Sequence, residues 1–313
     1  MDILLNPYYL QIGTFIMLNA ILGVSIYLTL ATGQLSLGNA GFMSIGAYTS
    51  ALLTLKAGFS VLLAVPLAGF VAAAVSVVIG FPALRLKGLY LAIATLGFGE
   101  VVRVIFLNLK ITNGALGLSG IPSMTILLGK TLSSLGLGSG IGGVTLQQLS
   151  SVLILFFLIL IVALLVFACL RLSRCRAGRA FAAIKTDETA AEAMGINTTY
   201  YKLLAFLLGA FIAGVAGALS AHLTFYIGPV DFDYHRTVEI LIFAVLGGSN
   251  LVWGPILGAF LLTLLPEILR AASDYRMMIY GAILVLMMAF RPQGLISEET
   301  LRFWKGKLGR EEK

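Results

Sequence analysis

Nine apolar runs, separated by turn residues and charges, organise the chain: about Leu10–Thr32, Ser36–Leu55, Ser60–Phe81, Leu89–Asn108, Leu149–Leu170, Leu203–Phe225, Thr237–Leu246, Gly254–Arg270 and Met277–Phe290. Leu, Ile, Val, Ala and Phe fill them, and most approach the roughly 20 residues that a helix needs to cross a hydrocarbon core. The pattern predicts an all-α, polytopic membrane helical bundle of about nine spans (eight to ten), one domain over residues 1–313. The first run follows Asp2 and no basic residue. A secretory leader has a basic start and a shorter apolar core, so this run is predicted to be the first membrane helix. Residues 109–148 include a Gly-rich stretch from Gly136 to Gly143. Its backbone polar groups could not be satisfied in lipid, which predicts a surface loop with short or re-entrant helices.

Composition narrows the class. Hydrophobic residues make up 59% of the 313 and charged ones 11%, with a mean hydropathy of +1.00. Soluble domains carry about 25% charged residues, so 21 Lys and Arg with 14 Asp and Glu cannot cover a soluble protein of this size. A globular cytosolic enzyme is excluded. The 35 Gly and 8 Pro show no fixed period, which excludes a collagen-like chain, and the apolar content excludes a disordered one.

The net charge of +7 would suit nucleic acid, but the basic residues follow the spans. Arg171, Arg174, Arg176, Arg179, Lys185 and Lys202 lie between runs five and six, and Arg85 and Lys87 between three and four. Arg291, Arg302, Lys305, Lys307, Arg310 and Lys313 form a tail over about 291–313. These 14 of the 21 basic residues share one face if nine spans start outside and end inside. The opposite loops hold Asp2, Asp231, Asp233 and Asp274. Cytoplasmic loops are enriched in Lys and Arg, so the N-terminus is predicted outside and the C-terminus in the cytoplasm. No nucleic-acid partner is needed. Cys169 and Cys175 form no CxxC and have no His nearby, so neither a disulfide nor a metal site is expected.

Catalytic constellations are sparse. His222 and His235 form no HExxH and no ligand cluster. Gly129-Lys130-Thr131 resembles the end of a phosphate-binding loop, but Met124 stands where the first Gly is required. The chain is predicted to have no nucleotide-hydrolysing site. Glu100 and Arg103, three apart, share a helix face near the outer end of the fourth run. They suit either a wet path or an interfacial ion pair. Glu239 and Glu267 lie near outer helix ends and read as interfacial.

Gly33-Gln34-Leu35-Ser36-Leu37-Gly38-Asn39-Ala40-Gly41 joins two apolar runs with several small or polar breaks. Unwound backbone at this depth requires cover by protein or a cavity; a simple turn with close Gly packing is the alternative. Gly247–Gly258 is similar in kind. The spacings Gly254xxxGly258 and Gly209xxxAla213xxxGly217 predict close helix packing by small residues. The hydrophilic loop at about 171–202 contains Asp187-Glu188-Thr189-Ala190-Ala191-Glu192-Ala193-Met194-Gly195. Good helix formers, an acidic start and a Gly stop predict a short helix capped by Thr186 or Asp187. Ala and Met on one side suit docking to a soluble partner; a solvated connector is the alternative.

Five segments in order carry a resemblance over nearly the whole chain. They are Thr32-Gly33-Gln34-Leu35-Ser36-Leu37-Gly38-Asn39-Ala40-Gly41-Phe42 with Ile45-Gly46-Ala47-Tyr48; Arg85-Leu86-Lys87-Gly88-Leu89-Tyr90-Leu91-Ala92-Ile93-Ala94-Thr95-Leu96; and Thr112-Asn113-Gly114 through Gly120-Ile121-Pro122. Ala193-Met194-Gly195-Ile196-Asn197 and Gly247-Gly248 through Gly254-Pro255 complete the set. Together they resemble the branched-chain amino-acid ABC transporter permeases of the LivM-like type.

The resemblance implies an ABC importer permease fold in the bacterial plasma (inner) membrane. It implies a second related (LivH-like) permease, two cytoplasmic ATPase subunits and an extracytoplasmic solute-binding protein. ATP and Mg would be used by the ATPase subunits, with no cofactor bound by this chain. The Asp187–Gly195 segment would be the coupling helix. The family pattern of Glu-Ala-Ala, three residues, then Gly is met by Thr189-Ala190-Ala191 and Gly195, with Thr where Glu is usual. Its later Ile-x-Leu-Pro is missing, since Ala205 and Leu207 occupy those places. Gln34, Ser36, Asn39, Ser44, Tyr48 and Glu100 are candidates to line the translocation path. The solute would be a branched-chain amino acid or a related small polar solute. A stand-alone secondary transporter or channel is the competing class, but it would want a central carboxylate. An intramembrane enzyme would need a nucleophile with its base, or a metal cluster. Gly195→Asp, or Ala190→Arg with Ala191→Arg, is expected to leave folding intact and abolish coupling.

Overall fold

Uninterrupted apolar sequence becomes helix here because only a helix satisfies every backbone polar group within its own segment. A computed structural model describes residues 7–133 and 145–268, with 281, 282, 285 and 295. The long helices are α1 (Pro7–Leu30), α2 (Asn39–Leu55), α3 (Val61–Ala83) and α4 (Leu89–Asn108). After a loop carrying α5 (Met124–Leu132) come α6 (Leu146–Arg174), α7 (Arg176–Thr186), α8 (Glu188–Ala193) and α9 (Thr198–Thr224). The described part closes with α10 (Tyr234–Gly247) and α11 (Trp253–Ile268).

Five of these, α1, α3, α4, α6 and α9, are long and apolar enough to cross a membrane. With 17, 14 and 16 residues, α2, α10 and α11 are shorter apolar helices. The predicted run Met277–Phe290, the tail and the Gly136–Gly143 stretch lie outside the described residues, apart from the isolated positions named above. Two features depart from the sequence reading. Helix α2 begins at Asn39, not Ser36, because residues 34–38 are irregular. Leu118–Ser119 (β1) also pairs antiparallel with Tyr226–Ile227 (β2), a two-stranded ladder among described residues that are mostly helical.

Helix α9 is the hub, packed against α1, α2 and α3. A β-carbon on Gly217 would stand 1.9 Å from the Met43 carbonyl oxygen, and one on Gly46 2.1 Å from that of Gly214. On the α1 side, a β-carbon on Gly209 would meet the Ser25 carbonyl oxygen at 3.0 Å. Lipid is as apolar as leucine, so association within a membrane relies on such close backbone contact and the dispersion it gains. Gly258 is equally tight, with the Phe243 carbonyl 2.0 Å from its would-be β-carbon. Around this centre, α3, α4 and α6 turn large apolar side chains outward, among them Leu62, Val78, Tyr90, Phe156 and Leu164.

The helices alternate between two ends. At one, Lys185 of α7 meets Gly33 after α1 and donates to Asn250 Oδ1 after α10 at 2.8 Å. Glu188 reaches Lys87 before α4 at the same end. At the other, Lys56 Nζ donates to the Ile111 carbonyl at 3.3 Å and His222 of α9 meets the Pro122 carbonyl.

Candidate functional site

The loop predicted to hold one helix holds two. A β-carbon on Gly178 would stand 2.1 Å from the Leu172 carbonyl oxygen, so α7 folds back tightly on the end of α6. Phe181 and Ile184 are buried beneath it, the Phe181 ring 6.3 Å from that of Tyr201. The signal was present in the sequence: Ala180, Phe181 and Ile184 fall on one helical face between basic residues.

Asp187 caps α8, its Oδ1 accepting from the backbone N–H of Thr189 at 2.8 Å and of Ala190 at 3.1 Å. At the other end Gly195 adopts φ +81°. Its N–H donates to the Glu192 carbonyl at 2.9 Å and that of Ile196 to the Ala191 carbonyl at 3.1 Å. This closing pattern satisfies carbonyls that a helix end otherwise leaves open. Three further contacts fasten the helix. Glu188 pairs with Lys202 at 2.6 Å and Lys87 at 3.8 Å. Thr198 Oγ1 donates to Glu192 Oε1 at 2.6 Å, and Ala191 is buried. Thr189, Ala190, Ala193 and Met194 stay exposed, Met194 at 82%. The exposed tip of this fastened helix is therefore mainly apolar.

This geometry refines the choice of test substitutions. Ala191→Arg would place a guanidinium where the side chain is 4% exposed, and Gly195→Asp would put a β-carbon at positive φ. Both changes strain α8 itself, whereas substitutions at the exposed Ala190 and Met194 leave its caps and anchors in place.

The second region is the break between α1 and α2. Gly33, at φ +74°, ends α1, with Gln34 N–H donating to the Thr29 carbonyl at 3.1 Å. Unwound residues 34–38 are covered by protein. Leu37 N–H donates to Thr95 Oγ1 of α4 at 2.9 Å, and Gly38 N–H to Ser36 Oγ at 3.4 Å. Asn39 Nδ2 donates to Ser25 Oγ at 3.2 Å, which donates to the Gly209 carbonyl at 3.0 Å. Asn39 is therefore tied into the α1–α9 packing, while Ser36 bonds within its own loop.

Gln34, Ser44 and Tyr48 differ. Both amide atoms of Gln34, Ser44 Oγ and the Tyr48 hydroxyl are buried and have no hydrogen-bond partner among the described residues. Ser44 and Tyr48 are four apart on α2 and so share one face. The Tyr48 ring stacks on Phe106 at 4.1 Å and lies 6.1 Å from Phe232. A buried, unpartnered polar group costs about 1–3 kcal/mol, and such a group in a native protein calls for an explanation.

Glu100 stands apart from this row. It is half exposed and ion-paired with Arg103 on its own helix, the Arg103 Nε donating at 2.8 Å. His222, fully buried, donates from Nδ1 to the Pro122 carbonyl at 2.8 Å, since only a donor can meet a carbonyl, and its Nε2 lies 2.9 Å from Ser50 Oγ. It latches α9 to α2 and to the Ile121-Pro122 turn. Among the described residues, no three His, Cys, Asp or Glu side chains group as metal ligands would.

The sequence profile of the family described as branched-chain amino acid transport system, permease component, matches residues 8–288. The chain is 40% identical over 294 residues to the high-affinity branched-chain amino acid transport system permease protein LivM of Salmonella typhimurium, across 91% of this chain and 69% of the relative. It is 39% identical to LivM of Escherichia coli over the same shares. Over 123 residues it is 30% identical to the permease protein LivH of Escherichia coli, 39% of this chain and 40% of that one. No solved structure matches the chain. With its apolar helices, the chain is a multi-pass integral membrane protein, and it belongs to the branched-chain amino-acid transport permease family, resembling LivM.

Proposed function

We propose that this chain is one membrane-spanning subunit of an ATP-driven importer that moves branched-chain amino acids into the cytoplasm. The observation that carries the coupling part is α8. It is a six-residue helix with both ends satisfied, anchored by ion pairs and presenting Ala190, Ala193 and Met194 outward. A rigid peg of this kind transmits force; a solvated connector needs neither caps nor anchors. Two cytoplasmic ATPase subunits, which bind the ATP and Mg, would receive it. Their closure would rock α8 and, through Glu188–Lys202, the hub helix α9.

Partial identity to both LivM and LivH types supports pairing with a second related permease, and delivery of solute by an extracytoplasmic binding protein completes the assembly. The proposed setting is the bacterial inner membrane, with the chain as one domain, its N-terminus outside and the α8 end in the cytoplasm. That placement agrees with Arg171, Arg174, Arg176 and Arg179 flanking the end where the turns at Gly33, Lys87 and Asn250 gather. Gln34, Ser44 and Tyr48 are proposed to face the path, where water or solute would satisfy them. The chain itself would bind no cofactor.

The test is uptake of radiolabelled L-leucine by proteoliposomes holding both permeases and both ATPases, with binding protein on the solute side. Uptake should require ATP on the ATPase side, and this chain alone should transport nothing. Uptake by the lone chain driven by an ion gradient would establish the competing secondary-transporter reading instead.

A further inference from the structure

A cavity of about 520 Å³ opens between α1, α9, α10 and α11 at the end away from α8, within the size range of small-molecule sites. Its lining divides by chemistry. Phe15, Leu18, Met43 and Phe232 supply an apolar wall. Asn19, Arg236, Asp231 and Glu267 supply charge and hydrogen bonding.

The polar side is braced. Asn19 is 6% exposed, and its Oδ1 accepts from Arg236 Nη2 at 2.7 Å. Its Nδ2 donates to Thr263 Oγ1 at 2.9 Å, so one buried amide ties α1 to α10 and α11. Arg236 Nη1 donates to Glu239 Oε2 at 2.6 Å. These bonds hold the guanidinium in one orientation yet use two of the five N–H donors that arginine carries. Asp231 is likewise fixed, one carboxylate oxygen accepting from Gly228 N–H at 2.7 Å, which leaves the other to accept. An oriented guanidinium suits a carboxylate, the Asp231 carboxylate suits an ammonium, and the wall suits an aliphatic side chain. Phe232 also lies beside Tyr48, where the row of unpartnered polar groups begins.

We infer that this cavity is a low-affinity binding site for the zwitterion of an aliphatic α-amino acid, with Arg236 taking the carboxylate, Asp231 the ammonium, and Phe15, Leu18 and Phe232 the side chain. This assignment rests on the function proposed above and adds that solute is held by the permease itself after leaving its binding protein. Asn19 is a positioning residue.

Saturation-transfer NMR on the complete importer in nanodiscs, without binding protein, tests it with three probes. L-Leucine should show transfer; L-leucinamide, lacking the carboxylate, and 4-methylpentanoate, lacking the ammonium, should show little. Arg236→Gln should raise the L-leucine dissociation constant about tenfold or more, with Arg236→Lys intermediate. If Arg236→Gln fails to assemble, Ser220→Phe, which fills the cavity without changing charge, should abolish the transfer. Undiminished transfer in these variants, or equal transfer from all three probes, overturns the site. So does a wild-type complex that imports L-leucine with ATP yet shows no transfer. A wild-type complex that imports no branched-chain amino acid refutes the function instead, whatever the NMR shows.

Discussion

Replacing Asp187 by alanine removes the side chain that accepts from the Thr189 and Ala190 N–H groups at 2.8 and 3.1 Å. Loss of such a cap costs about 1 kcal/mol, within a range of roughly 0.5–2. In a long helix that cost is diluted. Here α8 has six residues, far below the roughly 12–15 at which isolated helices begin to hold, so its order rests on its caps and anchors. About 1 kcal/mol corresponds to roughly fivefold in a local folding equilibrium. A partner that binds only the folded helix loses affinity in proportion to the folded fraction. Asp187→Ala should therefore weaken ATPase binding to the nanodisc-embedded permease pair by up to about fivefold, and should speed amide exchange at Thr189 and Ala190. Asp187→Asn keeps the cap acceptor without its charge and should stay near wild type. Since the site is exposed, the melting temperature should hardly move. Unchanged affinity and unchanged exchange at both amides in Asp187→Ala would refute the idea that a pre-formed α8 is what the ATPase engages.

Further outcomes follow from the same geometry. Ala190→Arg with Met194→Arg alters exposed positions only, so uptake should fall to background while melting stays within a few degrees; a collapsed fold would contradict the placement of that face. Tyr48→Phe removes a buried hydroxyl with no partner among the described residues; with water or solute as its partner in the path, its loss should change stability by no more than about 1 kcal/mol while uptake slows. Unchanged uptake would take Tyr48 off the path. Gly217→Ala drives a β-carbon toward the Met43 carbonyl and should destabilise the bundle by roughly 1–3 kcal/mol, read by thermal unfolding in detergent. Full tolerance would contradict the α2–α9 contact.

What the sequence made legible was local. Helix lengths follow from bilayer thickness, and the caps of α8 were visible because Asp187 and Gly195 act within one or two turns of chain. The buried break at Gln34–Gly38 was announced by its small and polar residues. Contacts between distant residues were not legible. Nothing in the order of residues joins Glu188 to Lys87 and Lys202, or Asn19 to an arginine 217 positions away. In α7 the basic residues signal topology and obscure the apolar face of Ala180, Phe181 and Ile184. The β1–β2 ladder is too short to have a period. For the site, polarity alone could not separate Ser36 and Asn39, which have partners, from Gln34, Ser44 and Tyr48, which have none among the described residues; for Asn39 that distinction depends on Ser25 of α1, itself bonded to α9.

The central claim, that ATPase energy enters this chain through α8, is tested most directly by cross-linking at its exposed tip. With Cys169 and Cys175 replaced, a Met194→Cys chain in the complete importer, labelled at that thiol with a benzophenone maleimide, should be joined to the ATPase subunit on illumination, and joining should stop uptake in step with its extent. An importer that transports normally while Met194→Cys yields no cross-link to the ATPase would contradict the claim.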